Sequence, residues 1–292
     1  MITKADKYMV DMIHHINTNG YKDINPRPKY ADGTPAHTIS VNHTFRSYDL
    51  AKGEFPICTL RPQAWKTGIR EIFTIYQKPT NDIATMHDMG VTWWDEWDIG
   101  DGTIGQRYGA TVSRYDLINN LIKDIQNDPY GRRKIVSLWQ EQDLHETPGL
   151  APCAFLTIWN VRDEYLDMML VQRSGDMLTA SGPGGINEIQ YAALLMMIAR
   201  HTGYQPGVFS HVVANEQIYD RHMDAAQEML RRFDAKMIAE SHAAATTYDW
   251  GPILPKLVLN PEVQNFYDMT IDDFTMENYE PMRPQLKLEL GI

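Results

Sequence analysis

Residues 186–203 read INEIQYAALLMMIARHTG. Apolar side chains recur around most of the circumference at helical spacing, so this stretch predicts a helix buried on nearly all sides, stopped by Gly203. A helix of that kind must be central, and the rest of the fold has to be built around it. Upstream lie three short runs rich in β-branched, aromatic and apolar residues, KIVSLWQ (134–140), AFLTIWNVR (154–162) and YLDMMLVQRS (165–174), each predicting a strand. Downstream, VFSHVVANEQIY (208–219) predicts another strand and residues 220–242 a helix. The expected fold class is α+β, a mixed β-sheet with helices packed on it and a long buried central helix.

Towards the N-terminus, MITKADKYMVDMIHHINTNG reads as an amphipathic helix closed by Asn19-Gly20, and not as a signal peptide. Residues 21–60 look strand-rich, with turns at RPKYADGTPAH and SYDLAKGEF. Residues 62–78 have helical spacing after a proline, and 114–127 predict a further helix. The tail is proline-spaced and ends in the apolar LKLELGI. No repeat or composition break marks a linker, so the expectation is a single domain over 1–292.

The chain has 292 residues and a formal net charge of -11. That charge argues against broad nucleic-acid binding, which rests on a cationic surface. An anionic ligand would need a local arginine cluster. No apolar run approaches membrane-spanning length. Cys58 and Cys153 are the only cysteines, with no CxxC or HExxH spacing, so the expectation is no metal and a reducing cytoplasm.

Cys153 sits in GLAPCAFLTIW, at the mouth of a strand after a proline-stiffened turn. A lone cysteine is often buried for packing alone, but a reactive one needs a cation nearby to favour the thiolate. YGRRKI (130–135) and VQRSGDM (171–177) supply candidates. An isolated Arg-Arg pair is ordinarily a solvated turn. Arg173 differs, because it closes an apolar strand and is followed by Ser174 and Asp176, a suitable set for a phosphate. SGPGGIN (181–187) opens the central helix, and its glycines permit close approach of the backbone to a ligand. GVTWWDEWD suits core, interface or a flat ring ligand. Glu71 falls within the apolar spacing of its helix, as a paired structural acid or a proton-transfer group.

Taken in order, PRPKYADGTPAHTIS, GVTWWDEW…DGTIGQRYG, GRRKIVSLW, LAPC, QRSGDM, Asn187 opening the apolar helix, IYDRH and DFTMENYEP resemble the thymidylate synthase family, in its divergent bacterial or phage-type branch. The resemblance runs from about Arg27 to Ile292. It implies a sheet-to-sheet homodimer that methylates C5 of dUMP, with 5,10-methylenetetrahydrofolate as carbon donor and reductant. It implies Cys153 as nucleophile, Glu71, Tyr108 and Asn187 in the catalytic machinery, and Asn187 as reader of the pyrimidine edge. Arg27 and Arg173 match phosphate ligands of one subunit, with Ser174 beside them, and Arg132 and Arg133 match those donated across the interface. This four-arginine cage would also favour the thiolate. Gln172 lines the nucleotide pocket, and Tyr219 with Gln217 occupies the sugar side. Arg61, Trp94, Trp97, Asp176 and Ile292 match the folate side, Asp176 touching both ligands.

The chain departs from the family pattern at Ala154 after the nucleophile, at Gly185-Ile186 before Asn187, and at Ala214-Asn215-Glu216-Gln217, where a histidine is replaced by Gln217. Thr179-Ala180-Ser181 implies a longer or differently shaped loop. Two rival readings stand beside methylation. One is a dUMP or dCMP 5-hydroxymethylase on the same scaffold, favoured by the altered loop and disfavoured by Trp94 and the apolar C-terminus. The other is a non-catalytic nucleotide- or RNA-binding relative, which would not need the thiol.

Overall fold

The computed structural model describes residues 1–244 and 253–292. Helices, in order, are α1 (Lys4–Asn19), α2 (Trp65–Ile72), α3 (Ile83–Asp88), α4 (Gly109–Arg114), α5 (Leu117–Asn127), α6 (Glu141–Glu146), α7 (Ile186–Thr202) and α8 (Met223–Ala244). Strands are β1 (Tyr21–Lys22), β2 (Thr38–Asp49), β3 (Lys134–Ser137), β4 (Ala154–Arg162), β5 (Tyr165–Gln172), β6 (Gly175–Asp176), β7 (Gln205–Tyr219), β8 (Lys256–Leu259) and β9 (Phe274–Glu277). The main sheet runs β1-β2-β7-β5-β4-β3, with β6 paired to β7; β8 and β9 form a separate ribbon.

All pairings in the main sheet are antiparallel except β5–β7 and β6–β7. The parallel β5–β7 pair is what the central helix makes possible, because a strand can return parallel only through a long crossover. The α7 crossover packs on β7 and β5. Asn187, Glu188 and Gln190 are polar residues of its N-terminal half, and Ile189 through Leu195 are buried throughout. It stops at Gly203, which has φ 82 and accepts the left-handed conformation without strain.

Register makes the two faces of the sheet differ. One set of cross-strand neighbours, Trp159–Met168–Phe209–Tyr48, is buried beneath the helices. On the opposite face run Ile135–Ile158–Met169 and Leu156–Val171–Val212–Phe45, none fully buried, with Phe45 59% and Ile135 53% exposed.

Several expectations change in detail. The helix expected at 62–78 is α-helical only to Ile72 and continues as a π-turn over Phe73–Gln77. The helix expected at 114–127 starts later, at Leu117, because Asp116 adopts φ 49 and separates it from α4. The strand-rich reading of 21–60 narrows largely to β2. The short helices α3 and α6 and the β8–β9 ribbon carried too few periodic residues to be read.

Candidate functional site

The site collects where β4 and β5 begin and end. Cys153 immediately precedes β4, and Arg173 immediately follows β5, so the antiparallel pair brings the two together. Arg173 N donates to Cys153 O at 2.9 Å. Its guanidinium then laces the LAPC turn: Nε donates to Pro152 O at 3.0 Å, and Nη2 to Ala151 O at 2.7 Å and to Cys153 Sγ at 3.4 Å. Cys153 is half-buried, whereas Cys58 is fully buried. Burial pushes the Cys153 thiol upward, and Arg173 and Arg27 oppose that push without overcoming it. The expected four-arginine cage draws Arg132 and Arg133 from a second copy, so a single chain brings only Arg27 and Arg173 to bear on the thiol.

The missing pair is remote. Arg132 and Arg133 are exposed and precede Lys134, whose strand partner is Trp159. Trp159 lies six positions along the chain from Cys153, roughly 20 Å at strand rise. Arg27, also exposed, is close enough to Cys153 and Tyr219 to act on both electrostatically.

A second cluster joins α2, α7 and the tryptophan loop. Glu71 is buried and receives three N–H groups: Trp93 Nε1 and Trp94 Nε1 at Oε1, and Gln190 Nε2 at Oε2. Among the described residues no cation stands against it; burial therefore raises its carboxyl, and the three donors lower it in part. Trp94 packs edge-on to Trp97 at 5.5 Å and to Tyr108 at 4.9 Å. Tyr108 is buried, and burial, then the neighbouring Cys153 and Glu71, lift its hydroxyl well above the usual phenol range. Its backbone sits at φ 49, ψ -109, a costly conformation for a residue with a side chain. The next residue explains part of it: a Cβ on Gly109 would lie 2.3 Å from Thr80 O. On the other side of Tyr108, Arg107 is fixed by donating to the carbonyls of Gln106, Asp143, Leu144 and Thr147.

Asn187 lies in the first turn of α7. Its Oδ1 accepts from Ser181 Oγ at 2.9 Å and Gln172 Nε2 at 3.3 Å, and its Nδ2 donates to Gln190 Oε1 at 2.9 Å. Gln172 Nε2 also donates to Ser174 O. Glu188, next in the chain, points the other way into a buried group with Arg46, Tyr48 and His211.

At the far end, Asp176 accepts from Thr179 N and Oγ1 and lies 3.8 Å from His222 Nδ1. Burial raises its carboxyl, with His222 the chief opposing charge. Gln217 sits in register between Ser40 and Asp176. Burial first, then Asp176, pushes the Tyr219 hydroxyl up to about 12. The C-terminus closes over this end: Ile292 exchanges both backbone hydrogen bonds with Lys29, and Glu289 O meets His222 Nε2 at 2.7 Å.

Two expected residues make contacts within the protein. Arg61, expected on the folate side, is buried; its Nη2 donates to Leu178 O and Thr179 O and so clamps the π-turn 177–181, while its Nε has no partner among the described residues. The glycines of SGPGG approach protein and not ligand, since Gly184 O accepts from Cys58 N and a Cβ on Gly184 would lie 2.2 Å from that nitrogen. Gln190, Trp93, Ser181 and His211 were missed. Gln190 had one signal, being a polar residue inside the buried run Ile189–Leu195.

The thymidylate synthase family model matches residues 7–292. A thymidylate synthase of Lactococcus lactis subsp. lactis is 45% identical over an alignment of 298 positions covering 100% of both chains. One from Streptococcus pneumoniae is 44% identical with the same coverage. The solved structure of thermostable thymidylate synthase A from Bacillus subtilis superposes with a TM-score of 0.84, at 33% identity and 99% coverage of each chain. The order of blocks along the chain, the mixed sheet wrapped around α7 and these full-length likenesses agree: the chain belongs to the thymidylate synthase family.

Proposed function

We infer that this chain methylates C5 of dUMP to give dTMP, taking the one-carbon unit from 5,10-methylenetetrahydrofolate and releasing dihydrofolate, as one catalytic domain over 1–292 in the cytoplasm. The observation that carries this reading is the Cys153 thiol, half-buried and held 3.4 Å from Arg173, in a family member alike over its full length.

Uracil C5 is a poor nucleophile until a thiolate adds at C6, which is covalent catalysis by Cys153. Arg27, Arg173 and Ser174 bind the phosphate, and the donors of Arg173 turn from the LAPC carbonyls towards it. Asn187 reads the base within a pocket lined by Gln172. Tyr219 and Gln217 face the sugar. Glu71 and Tyr108 hold and move protons on the other side of the ring, where burial keeps both acids weak. When bound, the folate supplies both the carbon and the hydride. The residues present fit a flat heterocycle with N–H groups: Trp94 and Trp97 offer aromatic faces, and Asp176 a buried carboxylate. Trp94, Trp97 and the closed C-terminal Ile292 exclude water, which favours hydride over hydroxide at the last step.

We further propose a homodimer. The uncovered apolar rows through Ile135, Ile158, Met169, Val171, Val212 and Phe45 form a sheet face to which a second copy docks. Such an assembly carries Arg132 and Arg133 of each chain to the partner's phosphate site. Incubation with dUMP and methylenetetrahydrofolate, with mass analysis of the nucleotide, tests the reading. dTMP with stoichiometric dihydrofolate is expected; 5-hydroxymethyl-dUMP with tetrahydrofolate overturns it.

A further inference from the structure

A charged cluster lies wholly inside the protein and has no part in the chemistry assigned above. Arg46 of β2, Glu188 of α7, and Glu216 and His211 of β7 are each no more than 1% exposed, and the buried Tyr48 closes the group. The five N–H groups of Arg46 all find acceptors there. Its Nε donates to Glu188 Oε1 at 2.6 Å, and Nη1 to the two Glu216 oxygens at 2.8 and 2.7 Å. Its Nη2 donates to Ser181 O at 3.0 Å and meets His211 Nδ1 at 3.1 Å. Glu188 Oε2 accepts from Tyr48 Oη and from Gly184 N, each at 2.7 Å.

Stability does not explain such a group. Taking an arginine and two carboxylates out of water is costly, and apolar side chains of similar volume fill such a space as well or better. Its contacts point instead to residues 181–185. Ser-Gly-Pro-Gly-Gly has three glycines in five positions, and Gly184 stands at φ 64. A turn of that composition has little shape of its own, so its ties define it. Arg46 holds the carbonyl of Ser181 at its start and, through Glu188, the N–H of Gly184 near its end. Arg61 holds Leu178 O and Thr179 O just before, so two buried arginines grip consecutive stretches of backbone.

What this turn carries belongs to the site. Ser181 Oγ accepts from Gln172 Nε2 at 2.7 Å and donates to Asn187 Oδ1 at 2.9 Å. The cluster also reaches Gln172 by a second route. Gln172 Nε2 donates to Ser174 O, a carbonyl that can only accept, so Gln172 Oε1 faces His211 Nε2 and requires an N–H there. Glu188 Oε1, 3.0 Å from Nδ1, favours a second proton on the ring, but burial holds His211 below the usual imidazole range. In the neutral ring Nδ1 is the acceptor, and Arg46 Nη2 supplies its donor.

We propose that Arg46 is a positioning residue for nucleotide binding: from inside the protein it fixes the 181–185 turn and the Gln172 side chain, and so sets the shape of the pocket. It is too deeply buried to touch a substrate itself. The proposal rests on the reading that Gln172 and Asn187 line the dUMP pocket.

Calorimetric titration with dUMP tests this on wild type and two variants. Arg46→Lys keeps the charge but gathers its donors on one nitrogen, which cannot span both carboxylates, His211 and Ser181 O. The triple variant Arg46→Met, Glu188→Gln, Glu216→Leu removes the three charges together, leaves no buried ion unpaired and keeps an acceptor for Gly184 N. In each, the Kd for dUMP is expected to rise about tenfold, equivalent to the loss of about one hydrogen bond. A purely structural cluster would lower the melting temperature and the fraction of active sites but leave that Kd where it was. A wild-type Kd in either folded variant therefore overturns the proposal. So does failure of the triple variant to fold, because the cluster is then a determinant of stability. Wild type without affinity for dUMP overturns instead the reading on which the proposal rests, and the proposal with it.

Discussion

The two cysteines differ in everything but the sulfur. Cys58 is fully buried beside Asp6, and burial, followed by that carboxylate, pushes its thiol well above the usual range. Cys153 is also raised by burial, but the charges around it are cations, and they pull the other way. Cys58 is overlain by the Gly184 backbone, whereas Cys153 stands at a strand mouth. Reactivity is thus a property of the sign of neighbouring charge and of access, and a thiol among apolar and acidic groups is a packing residue.

The largest expected effect tests that contrast directly. Cys153→Ser should abolish turnover in a dihydrofolate-release assay while dUMP binding remains measurable by calorimetry. Full activity in this variant would remove covalent catalysis from the mechanism. Next, Arg173→Ala should raise the KM for dUMP by roughly 10- to 150-fold, because each charge-assisted bond to phosphate contributes about 1.5–3 kcal/mol. Arg132→Ala should weaken the nucleotide similarly. Mixing it with Cys153→Ser should restore part of the activity as subunits exchange, since one hybrid site then has both the thiol and the arginines. A fully active monomer in sedimentation would break the shared-site reading.

A subtler effect concerns pH. Because the folded Cys153 thiol lies above its ordinary value, its iodoacetamide reactivity should still be rising where a free thiol has levelled off. The sign follows for stability: a raised thiol contributes stability that is full below the unfolded value and is lost as pH rises. Arg173→Ala removes an opposing cation and should move the reactivity curve to higher pH still. A shift to lower pH would contradict the electrostatic account. The smallest effect is expected at Cys58→Ala, which should remain active and lose about 1 kcal/mol in a denaturant titration.

Position along the chain and chemistry at a distance were unequally legible. Arg173, Ser174 and Asp176 could be singled out because phosphate chemistry has a local signature: an arginine and a hydroxyl at a strand end. Asp176 then also proved to cap its own π-turn. Arg61 looked like a free cation because its partners are the carbonyls of Leu178 and Thr179, more than a hundred residues away. Gln190 and His211 were overlooked for the same reason. Arg107 is the clearest case: four backbone carbonyls hold it beside the strained Tyr108, and no pattern of residue types announces a bond to a backbone oxygen.

Periodicity and composition, which depend on local spacing, determined the buried central helix, the strands on either side of it, a cysteine at a strand mouth and the need for a concentrated cationic site if a chain of net charge -11 is to hold an anion. Tertiary structure decided which arginines reach Cys153, which face of the sheet stays bare and which way the amide of Asn187 points. Those outcomes depend on strand register and on hydrogen-bond direction between distant residues. A one-dimensional pattern carries the donors and acceptors but not their pairing.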